Sequence, residues 1–261
     1  MTKTVLLAIA GPIATITFNR PEAMNGFNKQ MADEFAQITA QVREDRTVRA
    51  VLLQGAGQLF MAGGDIHFFH QQLDTMPAGV MEIVRTLNAA ILDLMHMPKP
   101  VLACVQGSVA GVGMSFMMAA DLVMAADTTK FTLAYGGLGI SPDGGASYNL
   151  PRLAGTKKAL ELIMLSELFD ADTARQYGLV NWVVPAAVLT EQAAKLITKL
   201  ANGPTQAYGQ AKRLVNQSWD NSLAAQLEAE GHAFAFCSAT EDFKTGVRSF
   251  LRKEKPVFTG E

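Results

Sequence analysis

Two apolar strand-like runs, residues 48–53 and 101–105, each lead into a glycine-rich stretch, FMAGGDI at 60–66 and GSVAGVG at 107–113. A strand that ends in such a loop presents bare backbone N–H groups at its tip. Two tips of this kind can converge on one oxygen without any charged side chain. The runs also set the fold class, because a helical pattern lies between them, and strand, helix, strand, helix is the signature of an α/β protein.

The rest of the chain fits that rhythm. Residues 5–9 and 13–18 flank a Gly11-Pro12 turn and alternate with period two, which predicts a hairpin. Met31, Phe35, Ile38 and Val42 form one apolar stripe of an amphipathic helix before the 48–53 strand. A second helical stripe runs from Val80 to Met95 and stops at Pro98-Lys99-Pro100. The Gly111 region is expected to open another helix, followed by short strands at 122–125 and 131–133. Beyond Thr156 helices dominate, at 158–165, 171–177, 187–200, 205–215, 223–236 and 241–250, with 180–184 extended. The expected division is a core over 1–195 and a helical C-terminal region over 196–261, with no repeat or linker between them.

Composition narrows the function classes. Hydrophobic residues make up 49% of the 261 and charged residues 18%, enough to bury a large core and an oligomer surface. The formal net charge of −2 leaves no basic footprint for nucleic acid. Cys104 and Cys237 stand far apart in apolar contexts, which suits two core thiols in a reducing compartment. No stretch reads as a leader or a membrane span, since the apolar run at 109–126 is broken by Asp121 and small residues, so the expectation is a cytoplasmic protein without a membrane partner. The many methionines, among them Met61, Met114, Met117, Met118 and Met124, read as adaptable core.

Several motifs occur in a telling order: NRP at 19–21, FMAGGD at 60–65, PKPV at 98–101, the 107–113 stretch with AAD at 119–121, GISPD at 139–143, LPR at 150–152, ARQYGLV at 174–180, and the closing FLRK at 250–253 and FTG at 258–260. With these the chain resembles the crotonase superfamily, the enoyl-CoA hydratases and isomerases. The resemblance implies an α/β fold, a crotonase-like (ClpP/crotonase) spiral of ββα units with a helical C-terminal trimerisation region, assembled as a homotrimer or a dimer of trimers. It implies an acyl-CoA thioester as substrate, whose carbonyl oxygen lies between the N–H groups of Gly64 and Val112. The family usually has glycine at the second position. Valine keeps the N–H, and at a helix N-terminus the required φ is ordinary. The backbone of Ala62, Gly64, Asp65 and Ile66 matches the family's adenine-side contacts, and Lys244 or Lys253 is a candidate for the CoA phosphates. CoA is part of the substrate, so no cofactor is expected.

The resemblance also bears on the chemistry. Hydratases of this family use two glutamates, because adding H and OH across a double bond needs groups at two carbons. The matching positions here hold Ser115 and Tyr135. Asp143 occurs where single-acid members carry their catalytic carboxylate, and one acid suffices for isomerisation if burial lifts its pKa. The plainer expectation for an aspartate between proline and Gly-Gly is a cap on the next helix. Enoyl-CoA isomerisation is therefore expected, with Asp143 as proton shuttle, Gly64 and Val112 as oxyanion donors, and Tyr135 shaping the pocket or orienting Asp143.

Three other readings stand beside it: a hydratase with relocated acid and base, a 4-chlorobenzoyl-CoA dehalogenase-like hydrolase, and a non-catalytic acyl-CoA binder. The dehalogenase would need a histidine where Asn88 stands. His67 and His70 are expected at the pocket rim, His67 against substrate, and with no third ligand in view a metal site is not expected. Asp65 most simply caps a helix beginning at Ile66.

Overall fold

The computed structural model describes residues 2–74 and 76–261, with the side chains of 76–78 left aside. The predicted hairpin forms from β1 (Val5–Ala10) and β2 (Ile13–Phe18), joined through Gly11 at φ 55°. Then come α1 (Lys29–Glu44), β3 (Ala50–Gly55), α2 (Ile66–Gln71), α3 (Met76–His96), β4 (Val101–Val105), β5 (Ser108–Ala110) and α4 (Val112–Ala119). They are followed by β6 (Leu122–Ala126), β7 (Lys130–Thr132), α5 (Ala146–Ala154), α6 (Thr156–Leu165), β8 (Phe169–Asp170), α7 (Ala171–Gln176) and β9 (Trp182–Val184). The chain closes with α8 (Leu189–Ala201), α9 (Thr205–Gln217), α10 (Leu223–Ser238) and α11 (Glu241–Arg252).

The strands make two sheets. The larger runs β1-β2-β3-β4-β6-β9 and is parallel from β2 onward, while the smaller runs β5-β7-β8. Each turn of the chain gives one strand to the first sheet and a short one to the second, then returns through helix: β4, β5, α4, and again β6, β7 and the helices after it. Residues 60–62 play the short-strand part after β3, since Met61 pairs in parallel with Val109. These are the ββα units expected. The step from β4 to β5 depends on Gly107, at φ 64°, where a Cβ would lie 2.3 Å from the Gln58 carbonyl oxygen.

At its centre the large sheet is covered on both faces, so β4 is buried throughout rather than alternating. Val101, Ala103 and Val105 face the main core, which also holds Phe18, Phe35, Phe60 and Phe116. Leu102 and Cys104 face the opposite way, against Leu189, Ala193 and Ile197 of α8. Helix α4 has all eight residues buried and threads the centre of the molecule. A helix that is apolar nearly all round belongs in such a place.

Helix α8 runs unbroken through residue 195 and packs on the sheet, so a division at that point cuts a core helix. The segments beyond it leave large apolar side chains uncovered, among them Trp219, Leu223, Phe234, Phe250 and Leu251. Cys104 is buried as expected, but Cys237 on α10 is only half-buried. No helix among the described residues is long and apolar enough to cross a membrane.

Candidate active site

The two glycine stretches lie side by side. Met61 N–H donates to the Ser108 carbonyl at 3.1 Å and Ala110 N–H to the Met61 carbonyl at 2.9 Å, so the segments run parallel with residue 61 opposite 109. Three residues further along each segment stand Gly64 and Val112. The approach is close in between: a Cβ on Gly111, at φ 50°, would lie 3.5 Å from the Gly63 Cα.

Neither amide is used by the fold. Gly64 bridges Phe27 in parallel fashion, but the bonds are Phe27 N–H to Gly63 O and Asp65 N–H to Phe27 O, both 2.9 Å, so the Gly64 N–H points away from that bridge. Val112 opens α4, where a first-turn N–H has no acceptor within the helix. Among the described residues neither N–H donates to a protein acceptor. Both residues line one cavity of about 360 Å³, together with Ala62, Ile66, Tyr135 and Asp143.

Beside this cavity Ser115, Tyr135 and Asp143 converge. The Tyr135 hydroxyl donates to Asp143 Oδ1 at 2.8 Å, the Ser115 hydroxyl donates to the Asp143 main-chain carbonyl at 2.8 Å, and the two hydroxyl oxygens are 3.2 Å apart. Burial pushes the Asp143 carboxyl above its ordinary range, and the bond from Tyr135 offsets only part of that. Burial, then the Asp143 charge, lift the Tyr135 phenol too, so it stays protonated. The capping role expected for Asp143 is not seen. Helix α5 is instead entered through Gly145 at φ 82°, with no side-chain cap.

A cavity flanked by two unused main-chain amides and one half-buried carboxyl meets a matching family. The family model described as enoyl-CoA hydratase/isomerase covers residues 8–261. The chain belongs to the enoyl-CoA hydratase/isomerase family. It is 36% identical to the 1,2-epoxyphenylacetyl-CoA isomerase of Escherichia coli, with all of both chains covered. It is 33% identical to the trans-2-decenoyl-acyl-carrier-protein isomerase of Streptococcus mutans, over 99% of each chain, and 32% identical to the short-chain-enoyl-CoA hydratase of Clostridium acetobutylicum, over 96% of this chain and 95% of that one. The solved structure of an enoyl-CoA hydratase from Bacillus anthracis superposes with a TM-score of 0.92 at 28% identity, covering 99% of this chain and 100% of the other. The fold is thus the crotonase fold of that family.

The remaining predicted site residues separate into two groups. Ala62 and Ile66 line the cavity. Asp65 does not, because its carboxylate is turned to the Arg20 guanidinium at 2.8 Å and to the Phe68 N–H at 3.1 Å, where it caps α2 as expected. Burial would raise this carboxyl, but the Phe68 N–H and Arg20 outweigh it and hold it below its ordinary range.

His67 and His70 are exposed on α2 and lie outside the lining, and no group of three or more His, Cys, Asp or Glu among the described residues is placed to hold a metal. Asn88 is exposed on α3. Lys244 pairs with Glu241, and Lys253 ends α11 in the left-handed region at φ 57°.

Phe27 and Phe69 line the cavity without having been expected there. The Phe69 ring packs on Gly64, where a Cβ would lie 2.5 Å from it. The signal for Phe69 was its place one turn beyond the Asp65 cap, on the face that turns back over the glycines.

Proposed function

We propose that this family member is an isomerase of enoyl-CoA thioesters. One observation carries the reading: among the described residues lining the cavity, Asp143 is the only carboxylate. Moving a double bond takes a proton from one carbon and returns it at another, so a single group suffices, whereas adding water needs groups at two carbons. In the proposed reaction the thioester oxygen of a 3-enoyl-CoA lies between the N–H groups of Gly64 and Val112. The Asp143 carboxylate removes a proton from C2, the electron pair spreads over C2 to C4 and the thioester oxygen, and protonated Asp143 returns the proton at C4. The product is the 2-enoyl-CoA and Asp143 is ionised again.

Each main-chain donor to such an oxyanion contributes about 3–4 kcal/mol at the transition state. A carboxylate raised by burial is also a better match for a carbon acid. The scheme uses no cofactor beyond the CoA that the substrate carries. We assign the CoA end to the main chain of 62–66, with His67 at its outer edge. The uncovered apolar side chains of α10 and α11 support assembly as a homotrimer or dimer of trimers.

Incubating 3-hexenoyl-CoA and 2-hexenoyl-CoA with the enzyme in water labelled with heavy oxygen and deuterium tests the reading. The expected result is interconversion of the two alkenes with no heavy oxygen in either. A 3-hydroxyacyl-CoA bearing heavy oxygen as the main product would overturn it in favour of hydration. Unchanged isomerisation by Asp143→Asn would remove the assigned shuttle.

A further inference from the structure

We propose that Tyr135, backed by Ser115, is a positioning residue for Asp143: its hydroxyl pins Oδ1, so that Oδ2 is the oxygen that takes up and returns the substrate proton. The inference rests on the isomerase reading and adds to it a division of labour between the two carboxyl oxygens.

Counting hydrogens shows how the cluster is wired. A hydroxyl has one hydrogen to give. That of Tyr135 goes to Asp143 Oδ1 at 2.8 Å, and that of Ser115 goes to the Asp143 main-chain carbonyl at 2.8 Å, so in this arrangement no hydrogen lies in the 3.2 Å contact between the hydroxyls. Ser115 therefore holds the backbone of Asp143 while Tyr135 holds its side chain.

Both supports are packed into the interior. Ser115 is wholly buried within α4 and Tyr135 is 5% exposed. The chain after Asp143 is also pressed against Ser115, for Gly144 has φ 56° and a Cβ there would lie 2.9 Å from the Ser115 Cβ. Among the described residues, no other side chain donates to the Asp143 carboxyl.

Tyr135 acts as a donor and not as a relay. Its phenol is raised by burial and by the facing carboxylate, so it keeps its hydrogen throughout a turnover. The bond it gives favours the ionised form of Asp143, against the burial that disfavours it. A carboxylate held at one oxygen presents a fixed direction at the other, and misplacement by about 1 Å at a reacting centre costs on the order of a hundredfold in rate.

The variant Tyr135→Phe keeps the ring and deletes the donor, and Ser115→Ala deletes the backbone tether. Two readouts are compared with wild type: the ionisation midpoint of Asp143 by isotope-edited infrared titration, which needs no turnover, and the pH profile of kcat/KM for 3-hexenoyl-CoA. Tyr135→Phe is expected to raise the midpoint, and with it the acid limb, by about one pH unit. Its kcat is expected to fall by about tenfold to a hundredfold with KM within about twofold.

Ser115→Ala is expected to lower kcat in the same way but less, and it keeps the test open should Tyr135→Phe fail to fold. An unmoved midpoint and acid limb in Tyr135→Phe, with Asp143→Asn inert, would overturn the positioning role and leave the isomerase reading standing. Wild-type isomerisation by Asp143→Asn would sink that reading and this inference together.

Discussion

Asp121 and Asp143 are both aspartates whose carboxyls are raised by desolvation although neither is fully buried, yet the protein answers them differently. Asp121 faces a cation: the Lys212 ammonium lies 2.8 Å from its Oδ2, which also accepts the Val101 N–H at 2.8 Å. Lys212 is itself buried, and its other bonds go to the carbonyls of Leu94 and Lys99. This pair ties α9 to the start of β4 and the end of α4. Asp143 has one hydroxyl on its carboxyl, no cation in contact among the described residues, and a cavity beside it. A raised carboxyl alone does not mark a site. What separates the two is whether the charge has a fixed counter-charge or is left available to a proton.

The comparison breaks most sharply at the carboxyls themselves. Asp143→Asn is expected to lower isomerase turnover by about 10³-fold, measured on 3-hexenoyl-CoA, because among the described residues no other cavity carboxylate can take the proton. Its stability moves in the opposite direction. The folded-state carboxyl has the higher pKa, so holding it ionised weighs against the fold above that pKa and ceases to matter below the ordinary carboxylate range. The asparagine variant should therefore be the more stable protein at neutral pH, and denaturant midpoints should converge with wild type as the pH falls below about 4.

Lys212→Met tests the other side of the comparison. It strands Asp121 without its cation and should cost about 2–3 kcal/mol in denaturant unfolding, with most of the loss recovered by adding Asp121→Asn. A loss as small as that of an exposed pair would mean that α9 is held mainly by packing. Next in size is Gly144→Ala, which forces a side chain into a left-handed backbone pressed on Ser115 and should cost about 1–3 kcal/mol together with a fall in turnover. Asp65→Ala removes the α2 cap and should cost about 1 kcal/mol in thermal unfolding.

Much of the fold was legible in local pattern. The hairpin, the 101–105 strand and the six late helices stand within a few residues of where periodicity puts them, and the helix at Gly111 opens at Val112. The strand expected at 48–53 lies at 50–55. What escaped was short or exceptional. β5 and β8 have three and two residues, too few to show a period, and α5 carries Pro151 inside it. The site divided along the same line. Gly64, Val112 and Asp143 were named from motifs and share one cavity, while Phe69 lines it without having been named and His67 lies outside the lining, because which face of a short helix turns inward depends on what it packs against.

By itself the sequence determined the alternation of strands and helices, the two glycine stretches and the absence of a glutamate from positions 115 and 135. Those are properties of neighbouring residues, set by backbone sterics and side-chain spacing. Only the tertiary structure decided that Ser115 and Tyr135, 20 residues apart, would both turn their hydroxyls on Asp143, and that Lys212 would reach Asp121 across 91 residues. Such pairings depend on strand register and on how helices settle against the sheet, and no local period encodes a distance across the core.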